Sequence, residues 1–275
     1  RCPPTRAQPG VSSTDAGDAP MRRVLRWVGL LLVVGLAFGV GWAWPILVRP
    51  PLVLGQDAIS DAATATVTPT LEDASGPVIV VRPPAGTPSR DVLIVFYPGG
   101  LVRPQAYEWQ ARVLATHGYT TVIPEFAFDL AVTDSGRATA LIERYGAGQK
   151  VVLAGHSLGG AMAAQYLADE LRSGRQPAAG LILEASYPPD GADLTGASLR
   201  ALSVRAEHDG VADAAKVTAG MALLPSGSRE VVVPGAVHSF FGRYGPQSGD
   251  GVPTVSRADA EAVITGSVLE FLAGI

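Results

Sequence analysis

The run Val151-Val152-Leu153-Ala154-Gly155-His156-Ser157-Leu158-Gly159-Gly160 holds a serine between two glycines in the pattern G-x-S-x-G. A continuous apolar run precedes it and residues suited to a helix follow it. A tight strand-to-helix turn leaves little room beside its central residue, and Gly155 and Gly159 supply that room. Such a turn lifts the Ser157 hydroxyl to the C-terminal edge of a parallel sheet, where these sheets bind ligands. The helix N-terminus beneath it offers unpaired N–H groups to a developing oxyanion. The chemistry this suggests is nucleophilic attack on an acyl carbon.

A serine hydroxyl needs a base at neutral pH. Four histidines are available: His117, His156, His208 and His238. His156 lies inside the turn, and its side chain should point away from Ser157. His117 ends a helix, where it reads better as a cationic cap. His238 follows the last expected strand with room for an acid before it, and is the candidate base. The acid should follow the preceding strand. Asp209, in Arg205-Ala206-Glu207-His208-Asp209-Gly210, fits best, with Glu207 and Glu184 as alternatives. Its role would be to fix the His238 tautomer and stabilise the imidazolium.

An oxyanion hole needs the N–H of the residue after the nucleophile, Leu158, and a second amide from an early loop. Pro98-Gly99-Gly100-Leu101 suits the second, because glycines let backbone approach the substrate oxygen. Gly99, Gly100 and Leu101 all remain candidates.

These residues need a scaffold. Val92–Tyr97 and Val151–Ala154 read as strands buried on both faces. Thr120–Ile123, Leu181–Leu183, Leu202–Arg205 and Val231–Val233 read as further strands. Ala65–Pro69 and Pro77–Val81 suggest a leading hairpin. Helical patterns occupy Ala106–His117, Leu158–Leu171, Asp213–Leu223 and Arg257–Leu272, and Asp134 is a candidate cap for a helix reaching Tyr145. Alternating strands and helices imply an α/β fold with a mostly parallel sheet covered on both faces.

Composition agrees with this and excludes other classes. The chain has 275 residues, 47% hydrophobic and 17% charged, which excludes disorder over its length. A net charge of −4 offers no basic excess for nucleic acid. A single cysteine, Cys2, excludes an internal disulfide framework and a cysteine-cluster metal site. No acidic or histidine spacing suits a metal, and the acyl chemistry needs no cofactor.

The mean hydropathy of +0.25 is concentrated near the start. Residues 1–20 read as a disordered leader, and Met21 is a candidate natural start. Residues 21–48 read as a membrane anchor. An uncharged run from Val28 to Val48 can cross a hydrocarbon core of about 30 Å at about 1.5 Å per residue. Trp27, Trp42 and Trp44 lie towards its ends. Arg22, Arg23 and Arg26 precede the run and only Arg49 closely follows it. This charge bias puts the N-terminus in the cytoplasm and the rest on the outer side. A cleaved signal peptide is the alternative, but WAWPILVRPP after Gly41 offers no good cleavage site. Residues 49–60 read as a linker and 61–275 as one domain.

From about Val92 onward the chain resembles the α/β-hydrolase superfamily. It is most similar to the bacterial alpha/beta hydrolase fold-5 family, whose members are often membrane-anchored. The segments that carry the resemblance are FYPGG, AYEWQARVLATHGY, LAGHSLGGAMAAQYLAD, EASYPPDGADL, RAEHDGVAD and VPGAVHSFFGRYGPQSGDG. The resemblance implies a Ser157–His238–Asp209 triad and an oxyanion role for the Gly99-Gly100 loop. The family tends to carry Gly-Gly-Asn-His where this chain has Gly235-Ala236-Val237-His238, so the base should be less constrained by neighbouring polar groups. In the tail that follows, Phe240, Phe241 and Tyr244 either line a pocket or, the favoured reading, pack the loop onto the domain. Gln247 and Asp250 match a metal loop only loosely, and a metal is rejected there.

The expected function is a membrane-tethered serine hydrolase acting on a small-molecule ester or related acyl compound. The only insertion-like stretch, Glu184 to Leu202, is short for a lid and favours a small or medium ester. The alternatives are an acyltransferase on the same fold and a non-catalytic tethered binding domain.

Overall fold

The computed structural model describes residues 18–47, 51–55 and 61–275. Residues 1–17 of the leader expected over 1–20 and much of the linker expected over 49–60 lie outside them, whereas 18–20 fall in the first helix. Two compact units divide between Pro50 and Pro51.

The first unit contains one helix, α1 (Asp18–Leu47). Its segment Val24–Gly41 has a mean hydropathy of 2.1 and no buried residue. Eighteen residues span about 27 Å as a helix, enough to cross a membrane. Signal sequences share this property.

The second unit is built on an eight-stranded sheet. Its strands are β1 (Thr70–Asp73), β2 (Pro77–Val81), β3 (Val92–Tyr97), β4 (Thr120–Pro124), β5 (Lys150–His156), β6 (Gly180–Glu184), β7 (Arg200–Ala206) and β8 (Arg229–Val233). The order is β1-β2-β4-β3-β5-β6-β7-β8, with β1, β2 and β4 antiparallel and every other pairing parallel. The helices are α2 (Glu108–Thr116), α3 (Ala138–Tyr145), α4 (Leu158–Arg172), α5 (Ala214–Gly220) and α6 (Arg257–Leu272).

Alternate side chains of the central strands enter different layers. Ile94, Phe96, Val152, Ala154 and Ile182 pack in one core with Leu114 of α2 and Ile264 of α6. Leu93, Val95, Leu153, Leu181 and Leu183 pack in the other with Leu141 of α3 and Ala163 and Leu167 of α4. Both faces are buried, which is why these strands are continuously apolar.

Three expectations shift. The first hairpin strand is Thr70–Asp73, not Ala65–Pro69. Its register is set by the turn at Ser75 (φ 60°) and Gly76 (φ 123°), which pairs Asp73 with Pro77. Asp134 makes no side-chain cap. A 3-10 turn at Ser135–Arg137 intervenes, and the chain enters α3 through Arg137. Part of the expected linker also belongs to the domain. Leu52 and Leu54 pack against the core, and Gly55 N donates to Glu108 Oε1 at 2.9 Å.

The chain runs from β3 to β4 on one side of β3, while β5 pairs on the other. The crevice at the C-terminal ends of β3 and β5 is therefore a topological switch point, the usual ligand position in such sheets.

Candidate active site

Ser157 stands between β5 and α4 with φ 52° and ψ −124°. A non-glycine residue there is strained by about 1–3 kcal/mol. Three hydrogen bonds hold it. Ser157 N donates to Glu184 O at 2.9 Å, and its carbonyl accepts from Ser186 Oγ at 2.7 Å and Ala161 N at 3.2 Å. The Oγ makes no hydrogen bond among the described residues, so its proton and lone pairs are uncommitted.

The glycines around it are steric necessities. A Cβ on Gly155 would lie 2.6 Å from the Gly159 carbonyl carbon, and one on Gly159 would lie 2.1 Å from Tyr97 O. Gly160 is equally tight, 2.6 Å from Gly155 O. Helix α4 thus runs directly against the ends of β3 and β5.

His238 and Asp209 meet after β8 and β7. The His238 Nδ1–H donates to Asp209 Oδ2 at 2.9 Å, and the two side chains are 1% and 3% exposed. Asp209 Oδ1 accepts from Val211 N at 2.8 Å and Ala212 N at 2.7 Å. The pair lies beside the serine turn, with the rings of His238 and His156 4.5 Å apart. A carboxylate can only accept, so Nδ1 carries the proton of this bond and Nε2 is turned away from Asp209.

The other acidic and histidine candidates are engaged elsewhere. Glu207 Oε2 accepts from Gly235 N at 2.7 Å. Glu184 Oε1 accepts from Gln110 Nε2 at 2.6 Å, its Oε2 has no partner, and burial pushes its carboxyl up to about 8. His208 Nδ1 lies 3.1 Å from Val252 O. His117 caps the end of α2.

His156 does not face solvent. Its Nδ1 lies 2.9 Å from Tyr107 Oη, which also accepts from Gly99 N at 2.9 Å. Because the Gly99 amide can only donate, the tyrosine proton is available to His156 Nδ1. Burial, reinforced by the neighbouring His238, holds His156 well below the usual imidazole range, so it is neutral. Tyr107 therefore links the β3 loop to the serine turn, a role that its place in a helical apolar pattern did not suggest.

Two of the three loop amides are occupied. Gly99 N is held by Tyr107, and Leu101 N donates to Asp129 O at 2.8 Å. Gly100 N and Leu158 N have no acceptor among the described residues. The two residues adjoin, since a Cβ on Gly100 would lie 3.1 Å from Leu158 Cδ2.

A cavity of about 380 Å³ opens on Ser157 and Leu158, with Met162, Tyr187, Val211 and Ala212 on its walls. No charged side chain lines it. The turn carrying Asp209 reaches it through Val211 and Ala212, the residues whose amides hold that carboxylate. Phe240, Phe241 and Tyr244 are absent from the lining. Phe241 is fully buried 5.6 Å from the His156 ring, and Arg257 lies 4.5 Å over Phe240. Among the described residues no three His, Cys, Asp or Glu side chains converge as metal ligands.

The model of an alpha/beta hydrolase family, fold-5, matches residues 93–262. The chain belongs to the alpha/beta hydrolase family. Solved structures agree on the fold. A variant of the esterase rPPE aligns over 79% of this chain and 86% of its own, with a TM-score of 0.58 and 18% identity. A second rPPE variant gives the same values. TT1662 from Thermus thermophilus aligns over 75% of this chain and 98% of its own, with a TM-score of 0.53 and 17% identity. No curated protein sequence matches this one. Family membership supports hydrolase activity in general.

Proposed function

We propose that this alpha/beta hydrolase is a serine esterase working through Ser157, His238 and Asp209. The observation that carries the reading is the His238–Asp209 hydrogen bond of 2.9 Å beside the strained serine turn. Ser157 Oγ attacks the ester carbonyl carbon while His238 Nε2 takes its proton. The oxyanion forms against Leu158 N–H and Gly100 N–H, the two amides without an acceptor. Collapse breaks the bond to the leaving alkoxide, which receives the proton from Nε2. Water then attacks the acyl-serine, losing its proton to His238; the bond between the acyl carbon and Ser157 Oγ breaks, Oγ takes that proton back from Nε2, and the acid leaves.

Among the loop residues Gly100 is the proposed donor, because Gly99 and Leu101 already use their amides. The uncharged lining of the cavity favours a neutral ester with a short or medium acyl group; a charged acyl group would be desolvated there without a partner. Helix α1 is proposed to hold the domain at the outer face of the cell membrane, following the arginine bias before Trp27.

The test is hydrolysis of neutral p-nitrophenyl esters of increasing chain length. Ser157→Ala is expected to abolish turnover while thermal unfolding is retained. Unchanged turnover in that variant sinks the assignment.

A further inference from the structure

The run before His238 (Gly235-Ala236-Val237) contains no polar side chain. What holds the base must therefore come from elsewhere. His238 opens a 3-10 turn, His238–Phe241, whose first amides have no partner within the turn. The Asp250 carboxylate supplies both. Its Oδ1 accepts from His238 N at 2.9 Å, and its Oδ2 accepts from Ser239 N at 2.9 Å. The same carboxylate reaches the acid turn, with Gly210 N 3.4 Å from Oδ1.

The carbonyls of the same segment are held by a second side chain. Arg257 Nη1 donates to Ser239 O at 3.0 Å and Gly242 O at 2.6 Å, and Nη2 donates to Tyr244 O at 3.3 Å. Neither Asp250 nor Arg257 forms an ion pair with another side chain among the described residues. One anion serves the N–H groups and one cation serves the carbonyls of a single seven-residue stretch. Hydrogen bonds to ionised groups are roughly twice as strong as neutral ones. Burial alone would raise the Asp250 carboxyl, but the Ser239, Gly251 and His238 amides outweigh it and hold it below its ordinary value.

Packing fixes where the clasp sits. A Cβ on Gly210 would lie 2.4 Å from Gly249 O, and one on Gly251 would lie 1.8 Å from His208 O. The loop carrying Asp250 is thus pressed against the turn carrying Asp209. A shift of Asp250 moves the base relative to its acid.

We propose that Asp250 and Arg257 are positioning residues for the general base, clasping the His238–Tyr244 backbone so that the His238 ring meets Asp209 beside the serine turn. Neither touches the reacting atoms. The inference rests on the base role given to His238 above.

The experiment measures kcat and KM for p-nitrophenyl butyrate with the full chain in detergent. Asp250→Ala and Arg257→Met are compared with the conservative Asp250→Asn and Arg257→Lys. Misplacing a catalytic group by about 1 Å can cost about 100-fold, so kcat is expected to fall about 30-fold in Asp250→Ala and Arg257→Met. KM should stay within about 2-fold, because the cavity lining is untouched. The conservative variants should recover part of the loss, since Asn keeps one acceptor and Lys one donor centre. The downfield proton signal of the His238 Nδ1–H bond should weaken in step with kcat.

Wild-type kcat in folded Asp250→Ala and Arg257→Met overturns the clasp. A kcat loss that only follows the folded fraction, with the proton signal intact, overturns it too. If Asp250→Ala does not fold, Asp250→Asn and Arg257→Lys decide on the same criteria. Ser157→Ala runs in parallel. Activity surviving there defeats the hydrolase reading, whereas activity lost there and kept in the clasp variants defeats only the clasp.

Discussion

The serine turn and the base loop deliver two halves of one proposed reaction centre by different means. Around Ser157 the geometry is made by backbone against backbone. Gly155, Gly159 and Gly160 exist because no Cβ fits, and β5 and α4 leave the turn little other path. Around His238 the chain is irregular, and side chains from distant positions hold it: Asp209, Asp250 and Arg257. The serine turn is laid down by ten contiguous residues and braced from outside by Glu184 O and Ser186 Oγ. A base that must meet both an acid and a nucleophile here depends on contacts across three loops.

The contrast can be broken in several places. The largest effect is expected at the base itself. His238→Ala should lower kcat/KM by about 10⁴-fold in a protein that still folds, with a thermal midpoint lowered because Asp209 Oδ2 loses its buried partner, as a steady-state assay and a melting curve would show. A mild loss would mean that the base loop matters less than the serine turn.

Next comes the backbone packing. Gly159→Ala puts a methyl group 2.1 Å from Tyr97 O, where no flexible side chain can yield. A cost of about 3 kcal/mol or more is expected in denaturant unfolding. Gly249→Ala is the matched change in the base loop. Gly249 has φ 83° but open space around its missing Cβ, so only conformational strain of about 1–2 kcal/mol is expected. Equal costs at the two glycines would erase the distinction drawn between the regions.

Glu184 sharpens the comparison through pH. Folded, it keeps its proton up to about pH 8, whereas an ordinary glutamate ionises near 4.5. Its contribution to stability is full below the lower value, is lost as pH rises between the two, and levels off above the upper. The slope it can add is at most about 1.4 kcal/mol per pH unit. Glu184→Gln should therefore raise the melting temperature at pH 8 and leave it nearly unchanged at pH 4. A variant with the wild-type pH dependence would show that this carboxyl ionises freely under the serine turn.

The smallest effect is expected at Ser186, whose hydroxyl donates to Ser157 O at 2.7 Å. Ser186→Ala should cost about 1 kcal/mol in stability, with little change in KM.

What was legible in the sequence follows the same division. The boundaries of β3 and α6 could be read directly, because a doubly buried strand is continuously apolar and α6 begins after Ser256, whose Oγ accepts from Asp259 N at 3.1 Å. The serine turn was legible because glycine spacing records steric crowding locally. Strand β1 was not, since Thr70-Leu71-Glu72-Asp73 is a polar edge whose register comes from the turn after it. Asp134 has the residue type of a helix cap, but a 3-10 turn takes the position where the cap would act. The choice among Gly99, Gly100 and Leu101 depended on Tyr107 and Asp129, and no local pattern encodes those partners. Asp250 stands 12 positions beyond His238 in a stretch whose glycines and proline hide any period, and Arg257, 19 positions beyond, opens α6 with nothing local to tie it to His238. His238 was expected to be loosely held for want of polar neighbours before it; its polar neighbours come after it.

The central claim is that Ser157 is a nucleophile activated by His238. The most direct measurement is labelling of the folded full chain with a fluorophosphonate probe, with the adduct located by mass spectrometry of the peptides. The account predicts a single adduct on Ser157, absent in Ser157→Ala and formed far more slowly in His238→Ala. A folded protein that takes no label, or takes it on another residue while Ser157 stays unmodified, contradicts it.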